Sequence, residues 1–247
     1  MSARTETDVA HVAAAIGDPS RAKVLLALAG GGALSAGALA AEAGVSNSTI
    51  SGHLAKLREA RLLTVELDGR HRYYRIATTD VARALEQLAL IARPLPVRSL
   101  NADTRAKALL RARLCFDHLA GRLGVAVMDA LRDEGFLAAE GAPPGEAPPG
   151  DAAGDTAYVL TPHGHRELGR FGVDTDRLPR RRATVRYCVD WAEQRHHLAG
   201  SLGAALTARM FALEWLRHGK YRRVVRLTEA GRAGLASTFG VPNSQLS

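Results

Sequence analysis

The residues with the greatest chemical reach occur twice in this sequence. Cys115, Asp117 and His118 lie in the run Arg113-Leu114-Cys115-Phe116-Asp117-His118-Leu119-Ala120-Gly121. The same types return in Arg186-Tyr187-Cys188-Val189-Asp190 and in His197-Leu198-Ala199-Gly200, with Trp191 and His196 between the two matching pieces. A thiolate and an imidazole are ligands for borderline-soft metal ions, and they also make a nucleophile and its base. Cys115 and His118, three residues apart, are expected to share a helix face, and Cys188 with His196 or His197 would complete four ligands if the copies meet. Other roles stand beside this one. Cysteine is often a small buried hydrophobe, the aspartates could cap helices, the thiols could sense redox state, and the set could line a pocket for an organic molecule with Trp191 as its apolar wall. The second copy carries six extra residues between cysteine and histidine, which argues against symmetric coordination. The expectation is therefore an organic effector pocket drawing on Cys115, Asp117, His118, Cys188, Asp190, Trp191, His196 and His197, with neither a metal nor a cofactor.

The duplication reaches further. Leu160-Thr161, Gly164, Leu168 and Phe171-Gly172-Val173 recur as Leu227-Thr228, Gly231, Leu235 and Phe239-Gly240-Val241. Each copy reads as a long helix, a strand ending in Leu-Thr and a short helix capped by that threonine, an order resembling half a winged-helix unit. This gives a region over 103–247 with repeats at about 113–173 and 186–241, packed about a pseudo-dyad. The proline- and glycine-rich stretch 138–157 interrupts the first copy and is expected to be a mobile loop.

The elements ahead of residue 93 follow a different plan. Val9, Val12, Ala13 and Ile16 have helical spacing, and Asp18-Pro19 then caps and opens a second helix that runs to about Ala29. After Gly30-Gly31-Gly32, Ser35 caps a third helix ending at Gly44, and Ser46 caps a fourth reaching about Ala60. Strands over Leu62 to Leu67 and Arg72 to Ile76 flank Asp68-Gly69, a dipeptide suited to a tight hairpin. Asp80 opens a fifth helix with Val81, Leu85, Leu88 and Ala92 along one stripe, ended by Pro94 and Pro96.

Within that plan, Leu39-Ala40-x-x-Ala43-Gly44-Val45-Ser46-x-Ser48-Thr49-Ile50-Ser51-x-His53-Leu54-x-x-Leu57 is a helix-turn-helix followed by a wing. Gly44 permits the turn, and Leu39, Val45, Ile50, Leu54 and Leu57 hold the two helices together. Ser46, Asn47, Ser48, Thr49, Ser51, Gly52 and Lys56 are left to reach base edges and phosphates in a major groove. Arg70, His71 and Arg72 at the hairpin tip suit phosphates or a minor groove. Tyr73 and Tyr74 must point to opposite faces of their strand. This segment resembles the ArsR family of bacterial repressors. The resemblance implies a homodimer joined through the first and fifth helices, double-stranded DNA as partner, a pseudo-palindromic operator and release triggered by an effector. Two positions depart from the family pattern: Gly52 interrupts the recognition helix, and Arg61 replaces the glycine usual before the wing. The family's familiar metal positions are also changed, since Ala38 to Ala43 holds no cysteine and Asp80-Val81-Ala82 has no histidine in the Asp-x-His place.

Composition sets the bounds. Of the 247 residues 47% are hydrophobic and 23% charged, which suits two globular domains. No stretch approaches the roughly 20 consecutive apolar residues of a membrane span, and two cysteines exclude a disulfide framework, so a cytoplasmic location without membrane association is expected. The net charge is +8, but residues 1–92 hold 10 Lys/Arg against 9 Asp/Glu, so bulk charge does not identify the DNA-binding part. The fold class expected is mainly α with small β-hairpins. It comprises a winged helix-turn-helix over 1–93, a linker at 94–102 and a helix-rich tandem-repeat region, built from two degenerate winged-helix-like repeats, over 103–247. The function expected is a DNA-binding transcriptional regulator rather than an enzyme. The competing readings are an enzyme with a DNA-binding appendage that uses the repeated Cys/Asp/His groups, and an architectural protein without an effector.

Overall fold

The computed structural model describes residues 7–96, 99–141, 157–179 and 181–246, and the chain divides into two compact units, Met1–Leu85 and Glu86–Ser247. In the first unit, α1 (Val9–Ile16), α2 (Pro19–Leu28), α3 (Ala36–Ala43) and α4 (Asn47–Glu59) each begin on the residue type that satisfies their free N–H groups. Asp8 accepts from His11, Asp18 from Ser20 and Arg21, Ser35 from Ala38, and Ser46 from Thr49. Gly44 ends α3 at φ +72°, the left-handed conformation that turns the chain into α4. Leu39, Ile50, Leu54 and Leu57 are fully or almost fully buried between the helices, with Val24, Leu25 and Leu28 of α2 beneath them. Helical spacing alone accounts for this core.

The wing pairs β2 (Leu63–Asp68) with β3 (His71–Ile76) in antiparallel register from Leu63↔Ile76 to Asp68↔His71. The two turn residues are therefore Gly69 and Arg70, one position later than the expected Asp68-Gly69, and Gly69 takes φ +58°. A short strand β1 (Leu34–Ser35), not foreseen from the sequence, adds to the other edge of β3 and makes a three-stranded sheet. Two residues are too few for a periodic signal. Tyr74 is buried and Tyr73 half-buried, as alternation requires. The next helix, α5 (Thr79–Ile91), starts one residue before the expected Asp80 and is capped from outside by the Thr78 hydroxyl.

Gly52 sits on the exposed side of α4, and a Cβ there would meet nothing within 4 Å. Gly52→Ala is therefore expected to raise the stability of the first unit by about 1 kcal/mol, the helix-propensity difference. Thermal unfolding of the purified variant checks this, and a lower midpoint would contradict it. Arg61, where the family pattern has glycine, takes φ +57°; the backbone there is in the region glycine favours, and arginine holds it at a cost of order 1 kcal/mol.

The second unit contains α6 (Leu100–Arg111), then the hairpin β4 (Arg113–Cys115) and β5 (His118–Ala120), α7 (Arg122–Asp133), the hairpin β6 (Leu137–Ala139) and β7 (Tyr158–Leu160), and α8 (Pro162–Phe171). After a 3-10 turn at Thr175–Arg177 come the hairpin β8 (Arg186–Val189) and β9 (His196–Ala199), α9 (Gly200–Ala212), the hairpin β10 (Leu216–His218) and β11 (Val225–Leu227), and α10 (Glu229–Phe239). A core of Leu123, Met128, Leu131, Leu168, Leu202, Leu206, Met210, Leu235 and Phe239 gathers the helices around these hairpins. Thr161 and Thr228 cap α8 and α10, as their Leu-Thr contexts led one to expect. Of the expected loop 138–157, Ala138 and Ala139 belong to β6, and 142–156 lie outside the described residues. Among the described residues no helix is long and apolar enough to cross a membrane.

Candidate functional site

Two groups of residues can act on other molecules, one in each unit. On the first unit, Ser46, Asn47, Ser48, Thr49, Ser51, Gly52 and Lys56 are all exposed, because the buried positions of α4 fall at Ile50, Leu54 and Leu57. The hydroxyl of Ser46 lies 2.8 Å from that of Ser48 and 2.9 Å from that of Thr49, and Ser51 donates to the Asn47 carbonyl at 3.1 Å. The start of α4 thus presents a cluster of hydroxyls and the Asn47 amide at the surface, an arrangement suited to phosphate and base edges. Arg70, His71 and Arg72 are exposed at the wing tip, and no ion pair involves either arginine among the described residues. Arg75, three residues beyond Arg72, is instead tied to Glu66 at 2.9 Å.

The second group is buried. Cys115, His118, Cys188 and His197 point their ligating atoms to one place, all within 4.8 Å of one another. Strand pairing puts them there. Cys115 pairs across β4–β5 with His118, and Cys188 pairs across β8–β9 with His197. Two expectations are corrected by this register. Cys115 and His118 do not share a helix face, since they face each other on adjacent strands. The six extra residues before His197 do not spoil the symmetry either, because they lengthen the hairpin, His196 pairing with Val189 and the others lying in the loop, and leave the Cys–His cross-strand pair intact. The two imidazole rings lie 5.2 Å apart. A Cβ on Gly124 would stand 2.5 Å from the Leu119 carbonyl oxygen, and one on Gly203 2.6 Å from that of Leu198, so each glycine lets its helix pack closely on the strand that precedes it.

Behind each histidine stands a carboxylate. A carboxylate oxygen of Asp117 lies 3.3 Å from Nδ1 of His118, and Asp117 is itself paired with Arg182. Asp190 lies 3.6 Å from Nδ1 of His197 and receives Arg113 at 2.8 Å, with neither partner exposed at all. It also accepts from the backbone N–H groups of Gly121 at 2.7 Å, Ala192 at 3.0 Å and Glu193 at 3.2 Å. Burial works against both carboxylates, yet Arg113 and His197 hold Asp190, and His118 and Arg182 hold Asp117, below the usual carboxylate range. Contact with Cys188 and burial push the Cys115 thiol well above its ordinary value. Burial opposes a charge on His118, but the Cys115 sulfur and Asp117 raise it to about 9. Burial and the neighbouring His118 hold His197 well below the ordinary imidazole range.

The remaining residues singled out in the sequence lie elsewhere. His196, one step along β9, faces the other way, with Nδ1 at 2.9 Å from the Tyr158 hydroxyl and its ring stacked on Tyr187. Trp191 is covered by the Arg113 guanidinium at 4.3 Å, so its contact is with a cation. Arg182, which is not among the site residues expected from the sequence, is an anchor for Asp117. Arg113 was not singled out as a functional residue from the sequence. Its signal was present, since it opens the duplicated run; among the described residues no other arginine is fully buried.

Comparison with known proteins places this geometry in context. A helix-turn-helix domain family matches residues 16–66, which include all of α4. The HTH-type transcriptional regulator YdfF of Bacillus subtilis is 38% identical over 235 residues, covering 95% of this chain and 98% of that protein. The HTH-type transcriptional regulator CmtR of Mycobacterium tuberculosis is 36% identical over 86 residues, covering 35% of this chain and 72% of that protein. The solution structure of the homodimeric winged helix-turn-helix DNA-binding domain Mb0332 from Mycobacterium bovis matches 40% of this chain and 100% of its own, at 26% identity and a TM-score of 0.32. The full-length similarity to YdfF, the matched helix-turn-helix and the exposed face of α4 lead to one assignment: this chain belongs to the HTH-type transcriptional regulators.

Proposed function

We propose that this regulator is an effector-responsive repressor that binds a pseudo-palindromic operator in double-stranded DNA as a homodimer, with α4 in the major groove and the Arg70–Arg72 wing tip on the flanking backbone. The observation that carries this reading is the split of α4 into a buried side of Ile50, Leu54 and Leu57 and an exposed side of Asn47, Ser48, Thr49, Ser51, Gly52 and Lys56. Exposed apolar residues on the two helices expected to pair support the dimer: Val9 and Val12 on α1, Leu88 and Ile91 on α5. Leu85, by contrast, is buried within the chain, so its substitution by a charge would test folding and not association. The second unit, read as two copies of a hairpin–helix–hairpin–helix plan, is the regulatory part. Its four hairpins alternate with α7, α8, α9 and α10, and the capping threonines fall at matching places.

Selection of duplexes from a random-sequence library by the full-length protein tests the reading. An inverted repeat with half-site centres about 10–10.5 base pairs apart, or a multiple of that, is expected, with sedimentation of the free protein at the mass of a dimer at micromolar concentration. Enrichment of no sequence, or of an asymmetric single site by a monomer, would contradict it.

A further inference from the structure

We propose that Cys115, His118, Cys188 and His197 form a four-ligand site for a zinc-class divalent ion that ties the β4–β5 and β8–β9 hairpins together. Four donors of these types, two sulfur and two nitrogen, are the ligand set of tetrahedral structural zinc. Zinc bonds of roughly 2.0–2.3 Å place tetrahedral donors about 3.3–3.8 Å apart, so the observed spread of up to 4.8 Å closes with an ångström or so of side-chain rotation. The space among four atoms so placed fits an ion and excludes an organic molecule.

The imidazoles carry the second observation. Nε2 of His118 and both ring nitrogens of His197 are buried without a hydrogen-bond partner among the described residues, a costly state for polar atoms in a packed interior. Asp117 beside Nδ1 of His118, and Asp190 beside Nδ1 of His197, leave Nε2 of each ring as the nitrogen to meet the ion. A carboxylate behind a ligating histidine is the arrangement that fixes the ring's orientation at metal sites. Both carboxylates are themselves held, Asp117 by Arg182 and Asp190 by Arg113. All four ligands are buried, leaving no position for water or substrate, so the ion's role is structural rather than catalytic. The site also lies outside residues 16–66, the segment matched by the helix-turn-helix domain family.

The test uses tag-free, full-length protein purified under reducing conditions. Elemental analysis is expected to give one zinc per chain, and removal with a chelator should lower the unfolding midpoint, with added zinc restoring it. Cobalt(II) added to the stripped protein should produce a thiolate-to-metal charge-transfer band and the strong visible bands of tetrahedral coordination. Cys188→Ser should abolish the charge-transfer intensity from one thiolate, and Asp117→Asn should weaken zinc binding about 10–100-fold at unchanged stoichiometry. Should either variant fail to fold, the wild-type cobalt spectrum decides alone. Zinc far below one per chain with no response to added zinc, a cobalt spectrum without the thiolate band, or isolation of a Cys115–Cys188 disulfide in place of bound metal would each overturn the proposal.

Discussion

Asp190→Ala is expected to cost about 3–5 kcal/mol of stability, the penalty for leaving one member of a buried ion pair without its partner. Arg113 and Asp190 are both fully buried, and the guanidinium donates to Oδ2 at 2.8 Å. Removing the carboxylate would strand that cation against Trp191 and release the backbone N–H groups of Gly121, Ala192 and Glu193 that Asp190 gathers. The substitution therefore acts on β5, at its junction with α7, and on the β8–β9 loop at once. Adding Arg113→Met should recover part of the loss, because it removes the uncompensated charge. Urea unfolding followed by tryptophan fluorescence measures both variants. A loss below about 1 kcal/mol for the single variant would show that the pair contributes no more than a surface bridge.

Gly231→Ala is expected to destabilise the chain by about 2 kcal/mol, opposite in sign to Gly52→Ala although both replace a glycine within a helix. A Cβ on Gly231 would stand 2.2 Å from the carbonyl oxygen of Trp215. That carbonyl cannot easily retreat, since it accepts from the Thr228 N–H at 3.0 Å while the Thr228 hydroxyl caps Gly231 at 3.0 Å. Overpacking of this kind costs about 1–3 kcal/mol and occasionally more, and the helix propensity of alanine offsets only about 1 kcal/mol of it. Gly164 has the same geometry against Phe136, whose carbonyl a Cβ would approach to 2.3 Å, so Gly164→Ala should behave alike. Thermal unfolding of both variants is the check, and an unchanged or raised midpoint would contradict the packing described.

Much of the first unit could be read from residue types because its signals are local. Asp18-Pro19, Ser35 and Ser46 mark helix starts through their own side chains, Gly44 marks a turn through its backbone, and the buried residues of α4 recur at helical spacing. The β1 strand was not legible, since Leu34 and Ser35 are defined by their pairing with Tyr74 and Tyr73, some forty residues away. The second unit shows the same limit at the place that matters most. Strands of three residues, such as β4 and β5, are too short for alternation to stand out from a helical pattern, and a Cys-x-x-His spacing suits a helix face and a hairpin equally well. The recurrence of cysteine and histidine was visible, yet their convergence depends on the strand register, which carries Cys188 opposite His197 despite the longer loop. Counting outward from Val189 and His196 as a hairpin would have recovered it. The roles of Arg113 and Arg182 depend on partners 77 and 65 residues distant, and no local pattern encodes such pairs.

The central claim, that α4 reads base sequence while the wing holds the backbone, is tested most directly by equilibrium binding over a range of salt concentrations. Selected and scrambled duplexes are compared for the wild type, for Ser48→Ala with Thr49→Ala, and for Arg70→Ala with Arg72→Ala. The helix variant is expected to lose preference for the selected duplex while keeping the wild-type salt slope. The wing variant is expected to bind both duplexes more weakly and to lower the slope of log affinity against log salt by up to about two, roughly 0.9 for each phosphate contact removed. Unchanged preference in the first variant together with an unchanged slope in the second would place the DNA elsewhere on the protein.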